Sequence, residues 1–189
     1  MGKVTLDNSM SLDGFTAGPN DSPEQPLGDG GTRLHDWMSG TTEDMMQGGT
    51  SATIGAIVSG RRTYDLVDGW GGSHRIHGVP VFVLSHHIPE EVPKGATPFT
   101  FVTDGIESAI TQAKAAAGDK NVYVLGGANT AQQCVKAGLL DEILIHLVPV
   151  LLGEGIRLFD HIGTEHIKLE STKVVESPGV THLRFRVVK

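Results

Sequence analysis

The hydrophobic pattern along the chain alternates between two kinds of segment. Short apolar runs, typical of buried strands, occur at residues 3–9, 56–60, 79–85, 99–103, 121–125 and 142–152. Stretches with helical features lie between them, at residues 32–40, 41–54, 61–67, 104–119 and 128–137. Strands that alternate with helices predict an α/β fold with a mostly parallel central sheet. Two further alternating segments, 166–177 and 181–189, predict an antiparallel hairpin at the C-terminal edge of that sheet.

The clearest helix is predicted at residues 104–119. Asp104 and Glu107 have the spacing of a capping box, and Gly118 is typical of a C-terminal stop. The apolar face of this helix consists of Ile106, Ala109, Ile110 and Ala113. Residues 11–31, by contrast, form a long stretch rich in glycine, proline, aspartate and asparagine, and loops of that length are usually functional or mobile.

Composition narrows the class of protein. The chain of 189 residues has a net charge of −7 and no basic stripe, which argues against nucleic acid and anionic membranes as partners. No apolar run approaches the roughly 20 residues that span a bilayer, and the N-terminus lacks an apolar signal core. The one cysteine, Cys134, excludes an internal disulfide framework. We therefore expect a cytoplasmic protein with a single domain over residues 1–189.

The stretch NVYVLGGANTAQQCVKAGLLDE, residues 121–142, places two glycines directly between a strand and a helix. Backbone amides at such a junction, together with the helix dipole, suit an anion such as a phosphate. The alternative is a tight turn that binds nothing. The run matches neither the G-x-G-x-x-G nor the Walker pattern, so any nucleotide site here is not a standard Rossmann site.

A second junction of the same kind occurs in AIVSGRRTYD, residues 56–65. Arg61 and Arg62 lie in the first turn of the helix, where cations oppose the helix dipole. Their position is explained if an anion lies between them and the helix end. The alternative is a pair of solvated surface arginines. Two anion sites on parallel strands suit a ligand with several phosphates.

Several segments together carry a family resemblance. The motifs SLDG, GRRTYD, VLS and VLGGANTAQQCVKAGLLDEILIHLVPVLLGEGIRLF occur in this order over nearly the whole chain. They resemble the dihydrofolate-reductase-like superfamily, and more closely the reductase domain of the bifunctional deaminase-reductase of riboflavin biosynthesis and its stand-alone relatives. The zinc-deaminase signature is absent from the sequence. The resemblance implies a three-layer dihydrofolate-reductase-like fold.

The resemblance also implies an activity. It is that of an NADPH-dependent oxidoreductase of the dihydrofolate reductase or 5-amino-6-(5-phosphoribosylamino)uracil reductase kind, which transfers a hydride to a small heterocycle of pyrimidine or pterin type. A non-catalytic nucleotide- or flavin-binding module on the same fold is the alternative. The residues implied to bind the cofactor are Gly60, Arg61, Arg62, Thr63, Leu84, Ser85, Gly126, Gly127, Ala128, Asn129 and Thr130. Relatives often carry arginine where this chain has His86.

Two carboxylates are candidates for the catalytic acid. By the resemblance, Asp13 in SLDG lies near the nicotinamide. Asp36 in RLHDWM lies on the first helix but is shifted in register, because the family's acidic position falls on Leu34 if Trp37 matches the family tryptophan. Asp13 is equally well explained as a turn residue and Asp36 as a solvated helix residue. Trp37 is either a family tryptophan or a core residue.

The remaining expectations concern metals, the cysteine and assembly. His74, His77, His86 and His87 are interpreted as surface histidines rather than zinc ligands, so no metal is expected. Cys134 is interpreted as a small core residue. The run EILIHLVPVLL is apolar on both faces, and the resembling family often pairs through its sheet edge, so we expect a homodimer. A central strand covered by helices on both faces is the alternative explanation.

Overall fold

The computed structural model describes residues 2–39 and 53–189. The helix predicted at residues 41–54 lies almost wholly outside the described residues. Its last residue, Ile54, begins a strand instead.

An eight-stranded sheet forms the centre of the fold, in the order β5-β4-β3-β6-β1-β7-β10-β9. Six neighbouring strands, from β5 to β7, are parallel, whereas β10 is antiparallel to both β7 and β9. The strands are β1 (Val4–Ser11), β3 (Ile54–Gly60), β4 (Val81–Leu84), β5 (Phe99–Val102), β6 (Asn121–Leu125), β7 (Glu142–Val148), β9 (Leu169–Ser177) and β10 (Val180–Val187). This confirms the predicted α/β class, the parallel sheet and the C-terminal hairpin.

A second, small sheet pairs β2 (Phe15–Ala17) with β8 (Ile156–Arg157) in antiparallel fashion. Sequence analysis predicted only a loop at residues 11–31. The two strands are too short to show a periodicity of their own, and they pair across about 140 residues, so no local signal marks them.

Helices cover both faces of the large sheet, which gives the expected three layers. Helices α2 (Ile106–Ala117) and α3 (Ala128–Lys136) pack on one face, against a core that includes Leu6, Val58 and Val124. The other face is covered by α1 (Arg61–Leu66) and by two 3-10 helices, Gly31–Ser39 and Asp68–Gly72. Burial on both faces explains why the central strands read as continuous apolar runs rather than alternating ones.

Three local predictions need correction. The strand predicted at residues 142–152 ends at Val148, because Pro149 cannot donate to a sheet ladder. The helix predicted at residues 104–119 starts at Ile106, and its N-cap is Gly105, with a φ of 104°, so Asp104 is not the cap. The first helix is a 3-10 helix, although its predicted position is correct. Gly118 does end α2, with a φ of 61°.

Candidate functional site

A cavity of about 1050 Å³ opens at the carboxyl ends of the parallel strands. Ligand sites of open α/β sheets lie at this edge. The cavity has two halves, which we name by their residues. All eleven residues predicted to bind a cofactor line the glycine-rich half, namely Gly60, Arg61, Arg62, Thr63, Leu84, Ser85, Gly126, Gly127, Ala128, Asn129 and Thr130. The histidine half is lined by Asp7, Ser9, Thr16, Thr32, His35 and His146.

Close packing explains Gly60 at the end of β3. Its φ of −84° is accessible to any residue, so backbone freedom is not the reason for glycine here. A Cβ at this position would lie 2.5 Å from Oγ1 of Thr130, at the start of α3. The absence of a side chain therefore lets the starts of α1 and α3 approach each other directly.

Gly126 and Gly127 need both the conformation and the space that glycine provides. Their φ angles of 74° and 79° lie in the left-handed region. A Cβ at Gly126 would lie 3.0 Å from Cγ2 of Thr63, and a Cβ at Gly127 would lie 3.3 Å from Oγ1 of the same residue. The two glycine turns thus bring the first turns of α1 and α3 side by side at the cavity.

Glycine also serves as the N-cap of both helices, at Gly60 and Gly127. Among the described residues, no side chain caps either helix. The first-turn amides of a helix have no partner within the helix itself. Two adjacent helix starts on one cavity, both without a capping side chain, form an arrangement that is chemically suited to an anion.

The two arginines occupy different surroundings. Nε of Arg61 donates to Oδ1 of Asp65 at 2.7 Å, and Nη1 donates to Oγ of Ser85 and to the carbonyl of His87 at 3.3 and 3.0 Å. These bonds tie the start of α1 to the end of β4. A guanidinium group is thereby fixed beside Ser85, one of the residues that the resemblance implies to bind the cofactor.

Arg62 is instead paired with Asp21 of the long loop. Nε and Nη2 of Arg62 donate to the two oxygens of the Asp21 carboxylate. The hydrogen bond and the charge of Arg62 lower the pKa of Asp21, and those of Asp21 raise the pKa of Arg62. In this arrangement the charge of Arg62 is balanced within the protein, whereas the carboxylate partner of Arg61 among the described residues is the more exposed Asp65.

The structure places Asp13 away from the cavity lining. Its carboxylate accepts hydrogen bonds from Oγ of Ser11 at 2.5 Å and from the amides of Gly153 and Leu152 at 2.7 and 3.2 Å. The Ser11 hydroxyl is the main cause of a pKa lowered to about 2, and the two amides add to it. Asp13 thus anchors the loop after β7, and it stays ionised at neutral pH.

Asp36 is exposed on the first 3-10 helix, while its neighbours His35 and Met38 line the cavity. Neither predicted catalytic carboxylate, Asp13 or Asp36, is among the described residues that line the cavity. Trp37 is half-buried, and its ring packs against that of His146 at a centroid distance of 4.6 Å, which agrees with a packing role.

A polar cluster that the sequence did not predict packs against Trp37. Nε2 of His146 lies 3.0 Å from Oδ1 of Asp7, and Nδ1 of His146 lies 2.6 Å from Nδ1 of His182. Asp7 and His146 line the cavity, and both histidines are 3% exposed. The three residues lie on β1, β7 and β10, up to 175 positions apart (182 − 7). The one local signal was a histidine within the apolar run EILIHLV.

Burial affects the other histidines unequally. His77, His86 and His87 are exposed, as interpreted from the sequence, but His74 is 3% exposed, so its interpretation as a surface residue was wrong. The His74 ring packs edge-on against Trp70, and its Nδ1 accepts a hydrogen bond from the amide of Ile76. Burial is the main cause of its pKa being lowered to about 4.

Metal chemistry and thiol chemistry find no support here. No group of three or more histidine, cysteine, aspartate or glutamate side chains that could hold a metal occurs in residues 2–39 and 53–189. Cys134 is completely buried, and burial raises the pKa of its thiol to about 12. This confirms its interpretation as a core residue.

The fold is that of the dihydrofolate-reductase-like class. The profile of the family described as RibD C-terminal domain matches residues 2–183, and the chain belongs to that family. YyaP of Bacillus subtilis strain 168, described as uncharacterized, is 25% identical over 198 residues, which cover 97% of this chain and 94% of YyaP.

Solved structures show the same fold. A protein of Shewanella sp. PV-4, named as a candidate riboflavin biosynthesis protein, superposes with a TM-score of 0.76 at 24% identity over 99% of both chains. The diaminohydroxyphosphoribosylaminopyrimidine deaminase/5-amino-6-(5-phosphoribosylamino)uracil reductase of Thermotoga maritima superposes with a TM-score of 0.65 at 15% identity. That alignment covers 99% of this chain and 57% of the Thermotoga chain. The neighbours of this fold thus include reductase domains of the riboflavin pathway.

None of the helices in the described part of the chain is long and apolar enough to cross a membrane.

Proposed function

We propose that the protein is an NADPH-dependent reductase of a small heterocyclic substrate, of the riboflavin-pathway pyrimidine or pterin type. The observation that carries the proposal is that a single cavity of about 1050 Å³ is lined both by all residues of the glycine-rich half and by the polar side chains of the histidine half. Family membership supports the same class of activity. The Thermotoga relative is named as a 5-amino-6-(5-phosphoribosylamino)uracil reductase, which makes this pyrimidine the first substrate to test.

The residues of the glycine-rich half fit a dinucleotide. The two adjacent helix starts, at Gly60–Thr63 and Gly127–Thr130, suit a pyrophosphate because their glycines leave the backbone open to close approach. Arg61, fixed beside Ser85, suits the additional 2′-phosphate that distinguishes NADPH from NADH. When bound, NADPH supplies a hydride to an electron-poor carbon of the substrate.

Calorimetric titration with NADPH and NADH, followed by NADPH oxidation assays, tests the proposal. We expect NADPH to bind more tightly than NADH, and we expect NADPH oxidation with 5-amino-6-(5-phosphoribosylamino)uracil or a dihydropterin. Absence of binding by both nucleotides at millimolar concentration contradicts the cofactor assignment. Binding without oxidation of NADPH by any substrate of this panel contradicts the activity.

A second function has one observation in its favour. Neither Asp13 nor Asp36 lies among the described residues that line the cavity, so the two predicted proton donors do not support catalysis. A non-catalytic nucleotide- or flavin-binding module has no need of a proton donor. The absorption spectrum of the purified protein separates the two, because a bound flavin absorbs near 450 nm, on the order of 100 nm beyond the reduced nicotinamide band.

Three further predictions from the sequence belong to this proposal, namely a single domain, a cytoplasmic location and a homodimer. The match over residues 2–183 supports the first. The homodimer can no longer be argued from the apolar run of β7, because β7 lies between β1 and β10 and is almost fully buried within one chain. The exposed residues Leu169 and Val174 on the edge strand β9 now support pairing better than the apolar run of β7 does.

A further inference from the structure

Reduction of a C=N or C=O bond needs two hydrogens of different origin. One arrives at carbon with two electrons, which the cofactor supplies, and the other arrives at the heteroatom as a proton. Asp13 and Asp36, the carboxylates predicted from the sequence, lie outside the cavity lining. The question that follows from the proposed function is therefore which side chain brings this proton.

Asp7 stands where the two halves of the cavity meet. In the parallel pairing of β1 with β6, Asp7 lies opposite Leu125, the residue directly before Gly126 and Gly127. Its side chain is 22% exposed and lines the cavity. Oδ1 faces Nε2 of His146, whereas Oδ2 has no hydrogen-bond partner in the described part of the chain. A carboxylate oxygen is thus available at the junction between the cofactor and the substrate regions.

The two histidines constrain each other through their protons. Between the two Nδ1 atoms, 2.6 Å apart, one ring must donate and the other must accept. If Nδ1 of His182 donates, the one proton of a neutral His146 lies on Nε2 and is donated to Asp7. If Nδ1 of His146 donates, its Nε2 lone pair faces the Asp7 carboxylate. In that case a buried N–H also remains on Nε2 of His182, which has no partner among residues 2–39 and 53–189.

For a neutral His146 the first arrangement is the better one, because a buried donor without a partner is unfavourable and a lone pair that faces a carboxylate is repulsive. His182 therefore fixes the tautomer of His146, and His146 in turn fixes Asp7. Burial is the main cause of the pKa of His182 being lowered to about 4, so His182 is neutral at neutral pH.

Other charged and titratable groups surround the cluster. His35 faces it from the first 3-10 helix, Tyr123 from β6 and Lys173 from β9. Glu142 and Arg184, which pair with each other at 2.8 Å, lie beyond Tyr123. The ring of Trp37 packs against the rings of both His146 and His182.

We propose that Asp7 is the catalytic residue that carries the proton to the substrate heteroatom, and that His146 and His182 are positioning residues that fix its carboxylate. This inference rests on the proposed function. In the substrate complex, a proton taken up from solvent lies between Oδ2 of Asp7 and the substrate nitrogen or oxygen. As carbon receives its hydrogen with two electrons, the π pair of the double bond moves to the heteroatom, which keeps this proton. Asp7 is left as a carboxylate that is stabilised by Nε2–H of His146.

Histidine tautomers provide a test that needs neither cofactor nor substrate. Nitrogen-15 NMR at neutral pH should show the proton of His182 on Nδ1 and that of His146 on Nε2. In His182→Leu the constraint is lost, so His146 should populate both tautomers, while His182→Gln should restore the Nε2–H form because an amide can donate to Nδ1. A wild-type His182 with its proton on Nε2 overturns the positioning role.

Kinetics test Asp7 itself. Asp7→Asn should lower kcat on 5-amino-6-(5-phosphoribosylamino)uracil by about a hundredfold or more, with NADPH affinity unchanged. Asp36→Asn, which changes a carboxylate outside the cavity lining, is the matched comparison and should keep the wild-type rate.

The outcomes separate this inference from the function on which it rests. If the wild-type protein does not reduce the substrate, the proposed function fails, and with it the assignment of the proton. If the wild-type protein is active and Asp7→Asn is equally active, or if Asp36→Asn is the slow variant, only the assignment of Asp7 is overturned.

Discussion

The two halves of the cavity differ in how the sequence builds them. The glycine-rich half consists of three short segments, each at the end of a strand, and two of them begin a helix directly. The histidine half brings together one or two residues from each of β1, β2, β7 and the first 3-10 helix. The first half offers backbone amides and a fixed guanidinium, which suit binding, and the second offers side chains that exchange protons. Under the proposed function this difference corresponds to a division between cofactor binding and chemistry, and variants of each half can test it.

The largest expected effect concerns the close approach in the glycine-rich half. In Gly60→Ala the new Cβ would lie 2.5 Å from Oγ1 of Thr130. We expect a loss of about 1–3 kcal/mol in the free energy of unfolding, since overpacking forces buried groups apart. NADPH affinity should fall as well. Chemical denaturation and calorimetry measure the two effects.

The matched control is the double variant Gly60→Ala, Thr130→Ala, which removes the clashing oxygen. It should be more stable than Gly60→Ala alone. If the double variant is less stable than Gly60→Ala alone, the close approach of Thr130 is not the reason that residue 60 is a glycine.

The next effect separates the two arginines. Arg61→Ala should weaken the binding of NADPH by about ten- to hundredfold, roughly 1.5–3 kcal/mol, and should change the affinity for NADH much less. Arg62→Ala is the control, because Asp21 already balances its charge, and it should have the smaller effect. The preference for NADPH should shrink with added salt, because part of it is Coulombic. If Arg61→Ala lowers the affinities for NADPH and NADH equally, Arg61 does not bind the 2′-phosphate.

A smaller effect concerns Asp13, which lies outside both halves. Its folded pKa is lowered to about 2, below the value near 3.8 of a free carboxyl, so its contribution to stability is present above about pH 4. That contribution is lost as pH falls towards 2. Asp13→Asn should therefore lower the melting temperature at neutral pH, and the difference from wild type should narrow in acid. A turnover loss in Asp13→Asn without any loss of stability would return Asp13 to the catalytic candidates.

The smallest effect concerns the oligomeric state, because a variant on β9 leaves both halves of the cavity unchanged. Light scattering at micromolar concentration should give the mass of a homodimer. Val174, 60% exposed on the edge strand β9, is the site to change, and Val174→Lys should shift the population towards monomer. A monomeric wild-type protein contradicts the dimer, and a dimer unaffected by Val174→Lys places the interface elsewhere.

The same comparison explains what the sequence could predict. Glycines, strand ends and helix starts are neighbours in sequence, so the glycine-rich half could be read from local pattern and family motifs. Asp7, His146 and His182 meet only through the register of β1, β7 and β10, which no local pattern specifies. Asp13 was a candidate because the resemblance places the SLDG motif near the nicotinamide, but its hydrogen bonds to residues 152 and 153 depend on the fold.

The division between binding and chemistry is tested most directly by titrating NADPH into the wild-type protein, Arg61→Ala and Asp7→Asn, with turnover measured on the same samples. We predict that wild type and Asp7→Asn bind NADPH equally, that Arg61→Ala binds it about ten- to hundredfold more weakly, and that Asp7→Asn alone loses turnover when the cofactor is saturating. An Asp7→Asn protein that binds NADPH as weakly as Arg61→Ala would contradict the division.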